Sequence, residues 1–178
     1  LSLAMWAGLA LDNARAYLIQ SDQAADLATL QRLSTDIASS LETNTVGEKT
    51  CAAAARFFDA DHSGLLRFEP EDDYGVVTAE FPPNSGALNK RVPLRDVPAE
   101  QALIHNRQPL AIPDVAACQD LGPVRDILLG LGIHATLIVP VVAVDRLFGS
   151  FSIDFATERA FDEDDIKYAL MFAANTAI

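Results

Sequence analysis

The feature that constrains the fold most is a pair of strand-like segments near the end of the chain. Residues 135–143 and 147–156 are rich in β-branched and aromatic side chains and are separated by Asp145-Arg146. A short polar connection between two such runs favours a β-hairpin. The two strands of a hairpin run antiparallel, so this segment predicts an antiparallel sheet.

The remaining segments add strands and short helices between helical ends. Asn44 or Thr45 is the expected cap of the second helix, and the acidic run 162–165 is the expected start of the last one, because a helix N-terminus favours negative charge. Hairpin-joined strands with helices at both ends predict an α+β fold, with the terminal helices stacked on one face of the sheet. The predicted strands are 62–69, 74–81, 91–94 and 109–113, the predicted helices are 46–58, 98–106 and 123–130, and the expected buried stripe of the last helix is Ile166, Leu170, Ala173 and Ala177.

The first forty residues predict one long helix. Residues 2–41 contain no proline, and Leu3, Ala10, Tyr17 and Ala24 follow a seven-residue step. A helix of about 40 residues is about 60 Å long, which exceeds a small domain. We therefore expect its first half to pack against a partner chain as a coiled coil or bundle, giving a homodimer.

The two ends of the chain also resemble each other. Residues 6–11 match residues 173–178 in their pattern of alanine and aliphatic positions. Such a similarity between the two ends is typical of module arrays joined through terminal helices. Two alanine-rich helices also resemble each other by composition alone. We expect residues 1–24 to be the closing helix of a preceding module, continuous with a domain at 25–178, inside a larger polypeptide that carries an effector.

Composition excludes several classes of partner. The formal charge is −12, which argues against nucleic acid and anionic membranes. No apolar run approaches the roughly 20 residues of a membrane helix, so no membrane insertion is expected. Cys51 and Cys118 lie far apart in sequence, and no secretory signal is recognisable. A reduced, cytoplasmic setting is therefore expected.

The last predicted strand places polar residues on one face. Ser150, Ser152 and Asp154 alternate with Phe151 and its apolar neighbours, so the two sets point to opposite sides of the sheet. The polar set has a high cost under a bare apolar cover and should face solvent or a polar ligand. The loop-rich segment 88–133 is expected to cover this face as a lid. A ligand pocket and an ordinary solvated face both fit the pattern, and Thr136 on the neighbouring strand is expected to join the polar set.

Three further residues are candidates for ligand contact. His134 lies just before a strand at the expected pocket rim, Arg125 lies on a small helix, and Asp114 lies in the lid loop. Each is at least as well explained as an ordinary surface or hydrogen-bonding residue. No metal-ligand spacing, phosphate loop or nucleophile motif is recognised, so no metal site and no catalytic residue are expected.

Several segments resemble the GAF domain in order and spacing. They are Arg107–Asp114, Ala135–Val141, Leu147–Phe151 and Phe161–Asp165, the last leading into an alanine-rich helix. The resemblance covers roughly 25–178 and implies a six-stranded antiparallel sheet of the profilin-like, PAS-related kind, with helices on one side and a small-molecule pocket on the other. It also implies a regulatory module, commonly dimeric, of proteins such as sensor histidine kinases.

Two cofactors of GAF relatives are not supported by the residues here. Bilin-binding relatives carry a Cys-His pair that aligns with Gly122-Pro123, and Cys118 lies about a turn too early. Cyclic-nucleotide-binding relatives carry Asn-Lys, present as Asn89-Lys90, but their later Phe and Asp-Glu pattern is broken here. The cofactor is therefore unknown, with covalent bilin disfavoured.

The sequence thus predicts a cytoplasmic sensory module that is not itself an enzyme. We expect an unknown small molecule in the pocket to alter the terminal helices and so an effector, as in two-component signalling. One alternative is a connector that binds nothing and only dimerises. The other is a thiol redox enzyme of the free methionine sulfoxide reductase type, which needs converging cysteines where this chain has two distant ones.

Overall fold

A computed structural model describes residues 43–69, 73–95, 97–143 and 145–176. This part of the chain contains four α-helices, six β-strands and one short 3₁₀ turn at Gln119–Leu121. The helices are α1 (Thr43–Phe58), α2 (Pro98–Asn106), α3 (Pro123–Gly130) and α4 (Glu163–Ala174), and the strands are β1 (His62–Glu69), β2 (Tyr74–Phe81), β3 (Arg91–Pro93), β4 (Leu110–Ile112), β5 (Ala135–Ala143) and β6 (Arg146–Phe155).

The strands form one sheet in the order β3-β2-β1-β6-β5-β4, and every neighbouring pair is antiparallel. The two hairpins β1-β2 and β5-β6 meet along β1 and β6, which are therefore the two central strands. The expected α+β class and the six-stranded antiparallel sheet are confirmed.

Helices α1 and α4 cover one face of the sheet. α1 lies against β1 and β2 and α4 lies mainly against β5. A Cβ added at Gly47 would lie 3.0 Å from the Cβ of Ala79, so this glycine lets α1 approach the sheet closely. Where the helices meet, four rings pack edge-on or tilted with centroids 5.0–6.1 Å apart. These rings belong to Phe57, Phe58, Tyr168 and Phe172.

The structure corrects two details of the helix predictions. Residues 43–45 are already helical, so α1 does not begin at Asn44 or Thr45. In α4 the buried residues are Ala169, Phe172 and Ala173, whereas Leu170 is 38% exposed. The helix IKYALMF has apolar residues on most of its circumference, so its hydrophobic pattern does not define one face, and packing selects the small alanines that let it approach β5. The prediction that the last helix starts at the acidic run 162–165 is confirmed, because Asp162 and Asp165 form a reciprocal capping box at the start of α4.

The opposite face of the sheet carries a second apolar core. Its cover consists of α2, the 3₁₀ turn and α3, all from the segment predicted to form the lid. Leu103, Val115 and Leu121 are fully buried there. Because this cover packs against the sheet, it encloses the polar face of β6. The buried members are Phe68, Val92, Leu94, Val97, Ala99, Leu103, Ile112, Val115, Leu121, Val124, Ile133 and Ile138.

The predictions for residues 1–24, the long N-terminal helix and its coiled-coil dimer fall outside the described residues, as does Ala177. They stay predictions. In the described ranges, no helix combines the length and the apolar character needed to span a membrane.

Candidate functional site

A cavity of about 80 Å³ lies between the sheet and its lid-side cover. Its apolar walls come from both layers, with Leu66 and Ile138 from the strands and Val124, Ile127 and Leu128 from α3. Since one water molecule takes up about 30 Å³ in the liquid, the cavity holds a few waters or a small organic group. Its polar lining residues are His62, Lys90, Glu100, Thr136, Ser150, Ser152 and Asp154.

The polar floor is built from one row of residues across three central strands. Asp154 on β6 pairs in register with Thr136 on β5 and with His62 on β1. Side chains directly opposite one another on antiparallel strands share a face and lie close together. The sheet register alone therefore assembles this cluster from residues far apart in sequence.

Asp154 is the acceptor at the centre of this cluster. It is 2% exposed, and its Oδ1 accepts a hydrogen bond of 2.6 Å from the Thr136 hydroxyl. Its Oδ2 accepts one of 3.0 Å from the Ser152 hydroxyl. Both hydroxyl hydrogens are thereby used, so Thr136 and Ser152 present only oxygen lone pairs to the cavity.

His62 closes the row on the β1 side. Its Nδ1 lies 3.8 Å from Asp154 Oδ2, an ion-pair distance only if the ring is protonated. The residue is 8% exposed, and its buried Nε2 has no hydrogen-bond partner within the described ranges. Buried polar atoms almost always have partners, so this nitrogen marks a position where a bound group would be satisfied.

Glu100 is the second group with an unpaired atom. It lies in the first turn of α2, is 2% exposed and lines the cavity, and its buried Oε2 has no partner among the described residues. Burial raises the pKa of the Glu100 carboxyl from 4.5 to about 7, because removing a carboxylate from water disfavours its charged form. A buried acid and an unpaired imidazole nitrogen thus line the same small space.

Glu80 holds the loop that forms one wall. Its Oε2 accepts hydrogen bonds from the Ser85 hydroxyl at 2.6 Å and from the backbone N–H groups of Ala87 and Leu88 at 2.8 Å each. Burial acts to raise the pKa of Glu80, but these three bonds and the nearby His62 outweigh it and hold the pKa below its ordinary value. The anchored loop brings Ala87 and Lys90 to the cavity.

The structure brings four of the seven predicted site residues together. Thr136, Ser150, Ser152 and Asp154 all line the cavity. Their role in binding stays a prediction, but their common placement follows from the alternation of β6 and its pairing with β5.

The other three candidates lie outside the cavity lining. His134 is exposed, and its backbone pairs with Val115 and Phe155. Arg125 lies 3.6 Å from the carboxylate of Asp126, and Asp114 accepts a 3.1 Å hydrogen bond from the N–H of Ala117. Asp114 therefore braces the lid loop.

Sequence reasoning missed Glu100 and His62 as site residues. One signal was available for Glu100: it lies between Ala99 and Leu103 on a helix whose buried side carries both, so its helical position is that of a core residue. For His62 the local pattern gives no such signal, because its partner Asp154 is supplied by a strand 92 positions later.

Neither cysteine lines the cavity. Cys51 is fully buried in α1, and burial raises the pKa of its thiol to about 12, so it is held as the neutral thiol. Cys118 is half-buried and packs against the lid-side core. Across the described ranges, no group of three or more His, Cys, Asp or Glu side chains is arranged to hold a metal ion.

The model of the GAF domain family matches residues 42–178, and the chain belongs to that family of sensory and regulatory modules. No curated protein sequence matches the chain.

Solved structures show the same fold at low sequence identity. The GAF domain of an Acinetobacter phosphoenolpyruvate-protein phosphotransferase is 13% identical with a TM-score of 0.72, covering 86% of this chain and 90% of that one. The phycocyanobilin-bound GAF domain of a cyanobacterial phytochrome is 22% identical with a TM-score of 0.68, covering 85% and 91%. The free methionine-R-sulfoxide reductase of Neisseria meningitidis, solved with its substrate, is 18% identical with a TM-score of 0.67, covering 86% and 87%.

Proposed function

We propose that this GAF domain is a regulatory module that senses a small molecule in the lid-covered cavity. The observation that carries the proposal is the polar cluster of the cavity, in which His62 Nε2 and Glu100 Oε2 are buried without partners in the part of the chain that the structure describes. A structural core of equal size is more stable with apolar residues at these positions, because an unpaired buried polar atom costs about 1–3 kcal/mol. The cost is explained if a ligand supplies the missing partners.

The central strand β6 provides a route from cavity to helices. Ser152 and Asp154 line the cavity, while Phe151 and Ile153 are fully buried and, by alternation, face the helix-covered side. A shift of β6 on ligand binding therefore changes the surface on which α1 and α4 pack. The energy for such a switch comes from a difference in ligand affinity between two arrangements of the helices.

A metabolite screen tests the sensing function. Native mass spectrometry or thermal shift of the 178-residue chain should reveal at least one ligand that saturates. The Gly64→Ala variant is the matched test of location: a Cβ there would lie 3.4 Å from Ser152 Oγ, an ordinary contact, and Gly64 lines the cavity. We expect this variant to fold as the parent does and to lose the ligand.

One observation favours the second candidate function, a connector without ligand. The cavity of about 80 Å³ is far smaller than the roughly 300–1,000 Å³ of pockets for drug-sized ligands. The screen decides between the two. A chain that takes no ligand, and whose stability is unaffected by the metabolite panel, is a connector.

The proposal also includes the cellular location of the module, its effector and its oligomeric state. We place the module in the cytoplasm, without catalytic activity of its own, regulating an effector in the same polypeptide such as a histidine kinase. A homodimer through the N-terminal helix fits the heptad spacing of residues 3–24. The neutral thiol of Cys51 and the position of Cys118 outside the cavity disfavour the thiol redox alternative.

A further inference from the structure

The hydrogen-bonding character of the cavity restricts the chemistry of its ligand. Two hydroxyl groups that line it already donate to Asp154, which leaves only their lone pairs available. The unpaired Oε2 of ionised Glu100 is an acceptor as well. His62 Nδ1 faces Asp154 Oδ2 at 3.8 Å, and a neutral ring that carries its proton on Nδ1 presents a lone pair at the unpaired Nε2. Apart from the Ser150 hydroxyl, the buried groups that line the cavity thus offer acceptors when Glu100 is ionised.

The charges of the residues that line the cavity also favour a ligand with hydrogen-bond donors and a positive charge. Asp154 and Glu100 are the acids and Lys90 is the only lysine or arginine among the lining residues of the described chain. Lys90 is exposed and makes no ion pair within 4.0 Å in the described ranges. When Glu100 is ionised and the His62 ring is neutral, two carboxylates against one lysine leave one uncompensated negative charge. Buried charges are stable when they are paired, and one monovalent cation completes the pairing.

We propose that the cavity binds a small ligand through a protonated amine or amidine group held between Glu100 of the lid helix and the Asp154–His62 row of the sheet. The proposal rests on the sensing function above and names the chemical class of its ligand. An ammonium group has three donors and no acceptor, which matches the acceptors left over around it. The apolar walls accommodate a short alkyl part.

This assignment also gives the ligand a mechanical role. Glu100 belongs to α2, and Asp154 and His62 belong to the central strands. A cation bound to both layers links the cover to the sheet with charge-assisted hydrogen bonds, which are about twice as strong as neutral ones. A neutral ligand of the same size lacks this link.

Ethylammonium chloride is a suitable probe, because it combines one ammonium group with a short alkyl part. The full chain, labelled at isoleucine, leucine and valine methyl groups, is titrated at about pH 8 and constant ionic strength, where Glu100 is mostly ionised. The other titratable groups lining the cavity are His62, Lys90 and Asp154. We expect saturable shifts at the methyl groups of Leu66, Ile127 and Ile138. Ethanol, with equal heavy atoms but no charge, should bind at least about tenfold more weakly.

Paired variants locate the interaction. Glu100→Gln keeps the size of the side chain and removes the charge, and it should weaken ethylammonium binding by about tenfold or more. Asp154→Asn provides an independent second variant with the same expected loss. Glu158→Gln removes an exposed acid outside the cavity and should leave the titration unchanged.

The outcomes separate this proposal from the one on which it rests. If ethanol or acetate saturates the same methyl groups as tightly as ethylammonium, the cavity binds ligands and the amine assignment is wrong. The assignment is equally wrong if Glu100→Gln and Asp154→Asn keep full affinity, or if ethylammonium shifts no cavity methyl group. The sensing function fails only when the metabolite screen also finds no ligand.

Discussion

Thr136 and Asp154 show how one buried carboxylate is kept in the core. The Thr136 hydroxyl donates a 2.6 Å hydrogen bond to it, and both residues are 2% exposed or less. Thr136→Val keeps the β-branched shape and removes the donor. We expect the free energy of unfolding to fall by about 1–3 kcal/mol, because the charged acceptor stays buried. Urea denaturation measures the loss.

Thr78 supplies the matched control for that substitution. It is also a threonine in a central part of the sheet, but it is only half-buried, and its hydroxyl makes a long 3.3 Å bond to the carbonyl oxygen of Leu65. Thr78→Val should change stability by about 0.5 kcal/mol or less. Equal losses at both positions would show that the bond to Asp154 carries no special weight.

At the scale of elements, the contact between β1 and β6 depends on a missing side chain. A Cβ at Gly149 would overlap the carbonyl oxygen of Leu66 on the neighbouring strand. That atom belongs to the backbone and cannot rotate away. Gly149→Ala should therefore destabilise the domain by about 3 kcal/mol or prevent folding, as measured by thermal and urea unfolding.

Gly130 offers the contrasting substitution. It ends α3, and a Cβ there meets nothing within 4 Å. Gly130→Ala should leave stability unchanged or raise it by up to about 1 kcal/mol, because alanine loses less backbone entropy on folding than glycine. A Gly149→Ala protein as stable as Gly130→Ala would mean that the central strands are not packed as described.

Elements also show what the sequence can and cannot predict. Alternation along β6 correctly places Phe151 and Ile153 opposite Ser152 and Asp154, because side-chain direction in a strand is a local property. The buried face of α4 is predicted wrongly at Leu170, because apolar residues surround that helix. His62 joins the site only through strand pairing across 92 positions, which no local pattern contains.

At the scale of the whole molecule, Glu100 couples folding to pH. Its pKa is raised by burial to about 7 in the folded state, against an ordinary 4.5. Between these two pH values the folded state therefore binds more protons than the unfolded state. As the pH rises from about 4.5 through about 7, the contribution of Glu100 to the free energy of unfolding is lost. The full loss is about 3 kcal/mol at most.

Comparison of the parent with Glu100→Gln isolates this effect from other titrating groups. The variant should be more stable than the parent at about pH 8, and its advantage should shrink as the pH falls toward 5. Chemical denaturation at a series of pH values measures the difference, with Glu158→Gln as the exposed control. A difference that stays constant with pH would contradict the raised pKa.

The anchoring of the loop after β2 has an evolutionary consequence. Three donors in that loop converge on a single carboxylate oxygen, and backbone hydrogen bonds between Val77 and both Asn89 and Lys90 fix the far end of the loop to β2. Insertions or replacements between Pro82 and Asn89 need to preserve only these two attachments. Sequence changes in this loop, natural or engineered, can thus alter one wall of the cavity while the sheet beneath keeps its structure.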